Sequence, residues 1–264
     1  MPVLAPITLL VIGLYFFLKM IPEKVISLRR INQIFMLAII VATVSLSIAT
    51  HNRNSDYQNE ITMWKGNVEN TPNNPRALGN LGHALAENGQ FNKAIIEFKK
   101  AILEFDGSSA IHNNLGLTFE KNNQFDEAIV EFKKAIQINP SYGDAHANLG
   151  LVLGKNNNLN EAVIELKKAI ELNPNNAVAH KNLGVIYYQQ NKTELAILEF
   201  KSANSISKND SIISDYLQIS LNRRAFELYN AGNKAGSIAL LEEVLALNPN
   251  NVEAKKNLAI LTGK

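Results

Sequence analysis

The stretch IHNNLGLTF, residues 111–119, holds a tripeptide, Asn-Leu-Gly, that also ends at Gly82, Gly150 and Gly184, with 34 residues between successive copies. Set in that register, four units run 75–108, 109–142, 143–176 and 177–210. Small residues recur at Ala94, Ala128, Ala162 and Ala196, and again at Ala101, Ala135, Ala169 and Ala203. Large apolar residues recur at Phe98, Phe132, Leu166 and Phe200, and Pro72, Pro140 and Pro174 close units where Asp106 and Lys208 stand in the other two. A fixed period of this length indicates stacked supersecondary units. Within SSAIHNNLGLTFEKNNQFDEAIVEFKKAIQINPSY, residues 108–142, the apolar positions of each half follow helical spacing and KNNQ supplies the turn. The pattern predicts an all-α chain of helix pairs, helix A and helix B in each unit.

Gly82, Gly116, Gly150 and Gly184 fall in the middle of helix A, where glycine costs about 1 kcal/mol relative to alanine. Repetition of that cost points to close packing. The expected arrangement sets each glycine against the small alanine of helix B, with the large Phe or Leu filling the space toward the next unit.

The order of small and large positions resembles the tetratricopeptide repeat. That resemblance implies a right-handed α-solenoid in which helices A line a concave face. A fifth, degenerate unit spans 211–251: its closing LNPNN, residues 247–251, comes seven residues late, and the insertion falls in SIISDYLQISLNRRAF, read as a lengthened helix A. Residues 252–264 read as a solitary capping helix, which covers the apolar end a solenoid otherwise leaves in water. EITMWKGNVENTPNN, residues 60–74, aligns with a helix B alone, Trp64 standing where Phe98 stands one unit later, and caps the other end within a linker assigned to 51–74.

Composition changes near residue 50. Residues 1–18 and 31–50 carry no charged side chain, and each approaches the roughly 20 apolar residues that span a bilayer as a helix. The first segment lacks the basic start and small-residue cleavage site of a signal peptide, and the rest of the chain has no surplus apolar surface to cover two core helices. The expectation is a membrane anchor over 1–50, with transmembrane helices at about 3–20 and 31–50. Between them, Lys19, Lys24, Arg29 and Arg30 outweigh Glu23, whereas the fifteen residues after the second span offer only Arg53 and Lys65. Basic loops stay in the cytoplasm, so the repeats are expected outside it, in a periplasm, lumen or exterior.

Several chemistries find no support. The chain has 26 Lys plus Arg against 24 Asp plus Glu, and no cysteine; this charge balance gives no case for nucleic acid, and thiolate metal sites and disulfides are excluded. His112, His146 and His180 recur with the period, but equivalent atoms in successive units lie roughly 10 Å apart, too far for three ligands of one ion; they read as half-buried packing residues. The Lys99-Lys100, Lys133-Lys134 and Lys167-Lys168 pairs follow Glu97, Glu131 and Glu165 and read as exposed helix pairs. No phosphate loop or serine elbow occurs, and Asn191-Lys192-Thr193 is an isolated glycosylation-like triplet. No catalytic residue, cofactor or metal is assigned.

Two functions follow. The first is a membrane-anchored scaffold that binds a protein segment on the concave face. The second comes from RNSDYQNEITMWKGNVENTPNNPRALGNLG, residues 53–82, which resembles the junction in polytopic O-mannosyltransferase-like glycosyltransferases with a tetratricopeptide tail. Arg53-Asn54, Met63-Trp64 in place of Leu-Trp, and Pro72 carry that likeness, which implies the non-catalytic end of such an enzyme. Asn80, Asn114, Asn148 and Asn182, with Asn257 in the capping helix, border the expected concave face. They resemble the asparagine ladder of the O-linked N-acetylglucosamine transferase solenoid, and an amide that both donates and accepts can clasp a peptide backbone. A clamp for a terminal carboxylate would need Lys and Asn where Gly79 and His83, then Asn113 and Leu117, stand. An extended partner held with little regard to its end is therefore expected.

Overall fold

Two helices form in each repeat because each half carries an apolar stripe and the link between them is too short for anything but a turn. A computed structural model of the chain describes residues 60–263 and, before them, residues 36, 37, 39–41 and 45. The chain divides into two units, residues 1–66 and 67–264. Apart from those six residues, which are helical and exposed, the two expected membrane spans lie outside the described residues. No helix of the described residues is long and apolar enough to cross a membrane. Residues 60–70 are helical, as expected, with Trp64 half-buried.

The repeats begin with α1 (Pro75–Glu87) and α2 (Phe91–Glu104). They continue with α3 (Ser109–Lys121), α4 (Phe125–Ile138), α5 (Gly143–Lys155), α6 (Leu159–Leu172), α7 (Ala177–Gln189) and α8 (Thr193–Ile206). Every A helix in these four units has 13 residues and every B helix 14. No strand occurs among the described residues. Each A helix packs on its own B helix, and each B helix on the next A helix.

The turns between A and B share one device. Asn123, Asn157 and Asn191 adopt φ near +60° (59°, 61° and 58°), and Gly89 and Gly232 take the same place at 74° and 83°. Only glycine and, to a lesser degree, asparagine enter that left-handed region cheaply, which explains the asparagine-rich turns. Asn74, Ser108, Asn176 and Asp210 cap A helices by accepting from backbone N–H groups of the first turn.

The core runs between the paired helices. Ala94, Ala128, Ala162 and Ala196 are fully buried, as are Phe98, Phe132, Leu166 and Phe200. The helix-A glycines differ from expectation in their partner. A Cβ at Gly82, Gly116, Gly150 or Gly184 would come within 3.0, 2.7, 2.5 or 2.7 Å of the side chain of Phe98, Phe132, Leu166 or Phe200. The large residue therefore fills the glycine's own notch rather than the space toward the next unit. At Gly150 the alanine backbone also approaches, with Ala162 O at 3.2 Å. The missing Cβ leaves room for the Phe ring or the Leu166 side chain to press against helix A, in an interior packed as closely as a crystal.

The fifth unit carries α9 (Ser211–Asn230) and α10 (Lys234–Leu247), followed by α11 (Val252–Thr262). At 20 residues, α9 is the lengthened helix A. Seven added residues make nearly two turns, so the buried face continues unbroken through Ile213, Leu217, Leu221 and Ala225. α11 packs on α10 and ends at Gly263 in a left-handed conformation, the expected cap.

Candidate functional site

In these repeats, A helices of successive units touch one another, whereas B helices have no comparable contact. The row of A helices is thus the inner side of the stack, and its grooves hold the asparagines.

Asn80 and Asn114 lie together in a groove of about 380 Å³ between α1 and α3, with Arg76, Ser108 and Ile111. Both are half-buried, and neither side chain makes a hydrogen bond within the described residues. Gly79 opens this groove, for a Cβ there would already touch Ile111 at 3.4 Å. Asn182 lies in a second groove, about 270 Å³, where α5, α7 and α9 meet beside Lys155, Lys181, Ile186 and Tyr216. Asn182 is 8% exposed, and its amide also has no hydrogen-bond partner among the described residues. Asn148 differs: its Nδ2 donates to Asn113 Oδ1 at 3.0 Å, so its amide is already engaged across the α3–α5 contact. Asn257 lines a third groove, between α9 and α11. The five asparagines share a register but not a state, because each neighbouring A helix offers a different side chain.

Charge along the inner row is mostly internally paired. Lys121 bridges to Glu87 at 3.1 Å, and Lys155 bridges to Glu120. Arg76 and Lys181 form no ion pair in the described residues and stand unpaired at the first and second grooves, where Lys155 is held by Glu120.

The histidines occupy sites that sequence spacing did not reveal. His112 and His146 are buried, at 1% and 6% exposure, rather than half-buried, and His180 is half-buried as expected. In each unit Nδ1 faces a glutamate of helix B: Glu131 at 2.6 Å, Glu165 at 2.7 Å and Glu199 at 2.6 Å. Nε2 faces the loop before helix A: Asp106 Oδ1 at 3.0 Å, Pro140 O at 3.0 Å and Pro174 O at 3.1 Å. Each histidine is a strut joining three pieces of backbone. The expected exposed Glu–Lys pairs are correspondingly altered. Glu97 does pair with Lys100 at 2.9 Å, but Glu131 only reaches Lys134 at 4.0 Å, and Lys168 turns to Glu171. The glutamate prefers the strut because a charged hydrogen bond away from water is stronger than an exposed pair. The nineteen-residue separation of partners places them on different helices, which no local spacing rule reads.

Family comparison bears on the repeats directly. A profile described as "TPR repeat" matches residues 121–157 and 155–191, and one described as "Tetratricopeptide repeat" matches 68–96. These are tetratricopeptide repeats. Over 77 residues the chain is 34% identical to Protein O-mannosyl-transferase Tmtc3 of Drosophila melanogaster, a match covering 29% of this chain and 8% of that protein. Among solved structures, MamA is 25% identical with a TM-score of 0.55, covering 61% of this chain and 95% of that one. YrrB, described as a TPR protein with an unusual peptide-binding site, is 18% identical with a TM-score of 0.58, covering 74% and 96%. Among the described residues no group of three or more His, Cys, Asp or Glu side chains is placed to hold a metal ion.

Proposed function

We propose that this chain is a membrane-anchored scaffold whose inner face, outside the cytoplasm, grips an extended protein segment. The observation that carries the reading is that Asn80, Asn114 and Asn182 line grooves between A helices with their amides unspent. An amide left without a partner in a groove is ready to exchange both a donor and an acceptor with a peptide group. The peptide-binding site named for YrrB supports a peptide as the ligand class. The anchor rests on the uncharged segments 1–18 and 31–50; the exposed helical residues Met36, Leu37, Ile40 and Val41 fit a lipid-facing helix.

Peptides selected from a random library against the full chain provide the test. Replacing Asn80, Asn114, Asn148 and Asn182 with Ala should leave the circular dichroism unchanged and weaken those peptides at least about tenfold, ~1.4 kcal/mol. Asn148→Ala alone should matter least, since it gives up an existing bond. Unchanged affinity in the folded quadruple variant would return the asparagines to a structural role.

The Tmtc3 match favours a second reading, the non-catalytic repeat region of a polytopic O-mannosyltransferase-like enzyme. An open reading frame encoding further spans upstream of Met1 would decide for it.

A further inference from the structure

Asp106 breaks the period. It stands where the next two units place Pro140 and Pro174, so the loop before α3 carries a carboxylate in place of a ring that would fix its φ. The same loop walls the first groove: Phe105 and Ser108 line it together with Arg76, Asn80 and Asn114. Phe105 folds back over the loop, since a Cβ at Gly107 would lie 2.6 Å from its ring. One side chain ties this wall to the core of the repeat. His112 Nε2 faces the Asp106 carboxylate at 3.0 Å and the Asp106 carbonyl at 3.3 Å, while Nδ1 faces Glu131 at 2.6 Å.

An imidazolium donates from both nitrogens, a neutral imidazole from one. The neutral ring keeps its proton on Nδ1, toward the shorter and better buried contact, for the Glu131 side chain is 13% exposed and that of Asp106 72%. Nε2 then turns a lone pair toward two oxygens, and the exposed Asp106 turns to water. Glu131 on α4 and Asp106 on the loop are the charged groups that act on the ring. Charges on the other helices packed against α3 are engaged elsewhere. On α2, Lys100 pairs with Glu97 and Lys99 lies over the Phe119 ring; on α1, Glu87 holds Lys121; on α5, Lys155 bridges to Glu120 and Asp144 acts on Tyr142. In the next two units the corresponding partner is a proline carbonyl, and the proline ring stiffens the loop independently of the histidine.

We propose that His112 and Asp106 form a proton-operated latch on the wall of the α1–α3 groove: the imidazolium holds the 105–108 loop in place, the neutral ring releases it, and the groove grips its segment more tightly in acid. This rests on the reading of that groove as a peptide site and adds its regulation. The bond to Glu131 holds the ring above its ordinary value, so the latch is closed at about pH 6 and opens as pH rises.

The test places 4-fluorophenylalanine at Phe105 of the full chain and reads the wall by fluorine NMR. The resonance should move between about pH 6 and about pH 9, and His112→Gln and Asp106→Pro should each hold it still. Proline fits at that position, because Phe105 already has the extended backbone (φ −158°, ψ 101°) that Asn139 and Asn173 adopt before Pro140 and Pro174. Peptides selected from a random library at about pH 6, and weakened by the Asn80→Ala, Asn114→Ala double variant, should bind about fivefold more weakly at about pH 9. Asp106→Pro should keep the tighter binding at both. A resonance that stays fixed in wild type or moves equally in His112→Gln overturns the latch, as does peptide binding with the same pH dependence in wild type and Asp106→Pro. If no such peptide is found the ladder reading falls, and the fluorine result, which needs no peptide, alone decides the latch.

Discussion

A ring nitrogen can satisfy an acceptor only by carrying a proton, and His112 faces acceptors on both sides. Its partners are the Glu131 carboxylate, and the carboxylate and carbonyl of Asp106. The hydrogen bond to Glu131 holds the imidazole above its ordinary value, against the opposing effect of burial, with the Glu131 charge and Asp106 adding to the rise. The sign follows from linkage. A group whose folded value is raised contributes its full stability below its unfolded value of about 6.5 and loses it as pH climbs through the folded value. Urea unfolding should therefore find the wild-type protein less stable at about pH 8.5 than at about pH 6, and His112→Gln should flatten that fall. An identical pH dependence in the variant would show that the strut does not hold the extra proton.

At the scale of the element, the strut has a natural control. The first unit keeps the glutamate, Glu97, but places Leu78 where the later units place histidine, and Glu97 Oε2 is buried without a partner. Glu131 has what Glu97 lacks. Glu131→Gln should cost about 1.5–3 kcal/mol, the worth of a charged hydrogen bond, whereas Glu97→Gln should stay within about 0.5 kcal/mol because an orphaned oxygen loses its charge while an exposed pair with Lys100 is given up. Equal losses from denaturant unfolding would mean the histidines contribute nothing as struts. The helix pairs and the lengthened α9 were legible in the sequence, because period, turn asparagines and a seven-residue delay are all local in the chain. The partner of each glycine was not, since an alanine and a large residue four positions apart on helix B both face helix A, and ring packing decides between them. The asparagine ladder was legible as a register only: the bond from Asn148 to Asn113 depends on which residue the preceding helix turns inward. The α9–α11 groove was legible only through Asn257, because the insertion shifts the rest of that unit out of the pattern.

At the scale of the whole molecule, the proposed membrane anchor carries a topological prediction. The basic stretch 19–30 between two uncharged segments predicts opposite sides for Ser27 and Ser141. The chain contains no cysteine, so Ser27→Cys and Ser141→Cys can each be labelled alone in intact cells; Ser141, exposed between α4 and α5, should react with an impermeant maleimide and Ser27 should not. Equal labelling would remove the topology. The histidine struts, finally, stand in the second, third and fourth units and not in the first or the fifth. In a linear array, where each unit leans only on its neighbours, local stability follows local bonding. Backbone amides of α3–α8 should consequently be the last to exchange with deuterated solvent, and the array should fray inward from both ends. The α9–α11 groove sits in a fraying end, so an occupant there would act as a clasp, slowing exchange across the last three helices while the struts govern the middle.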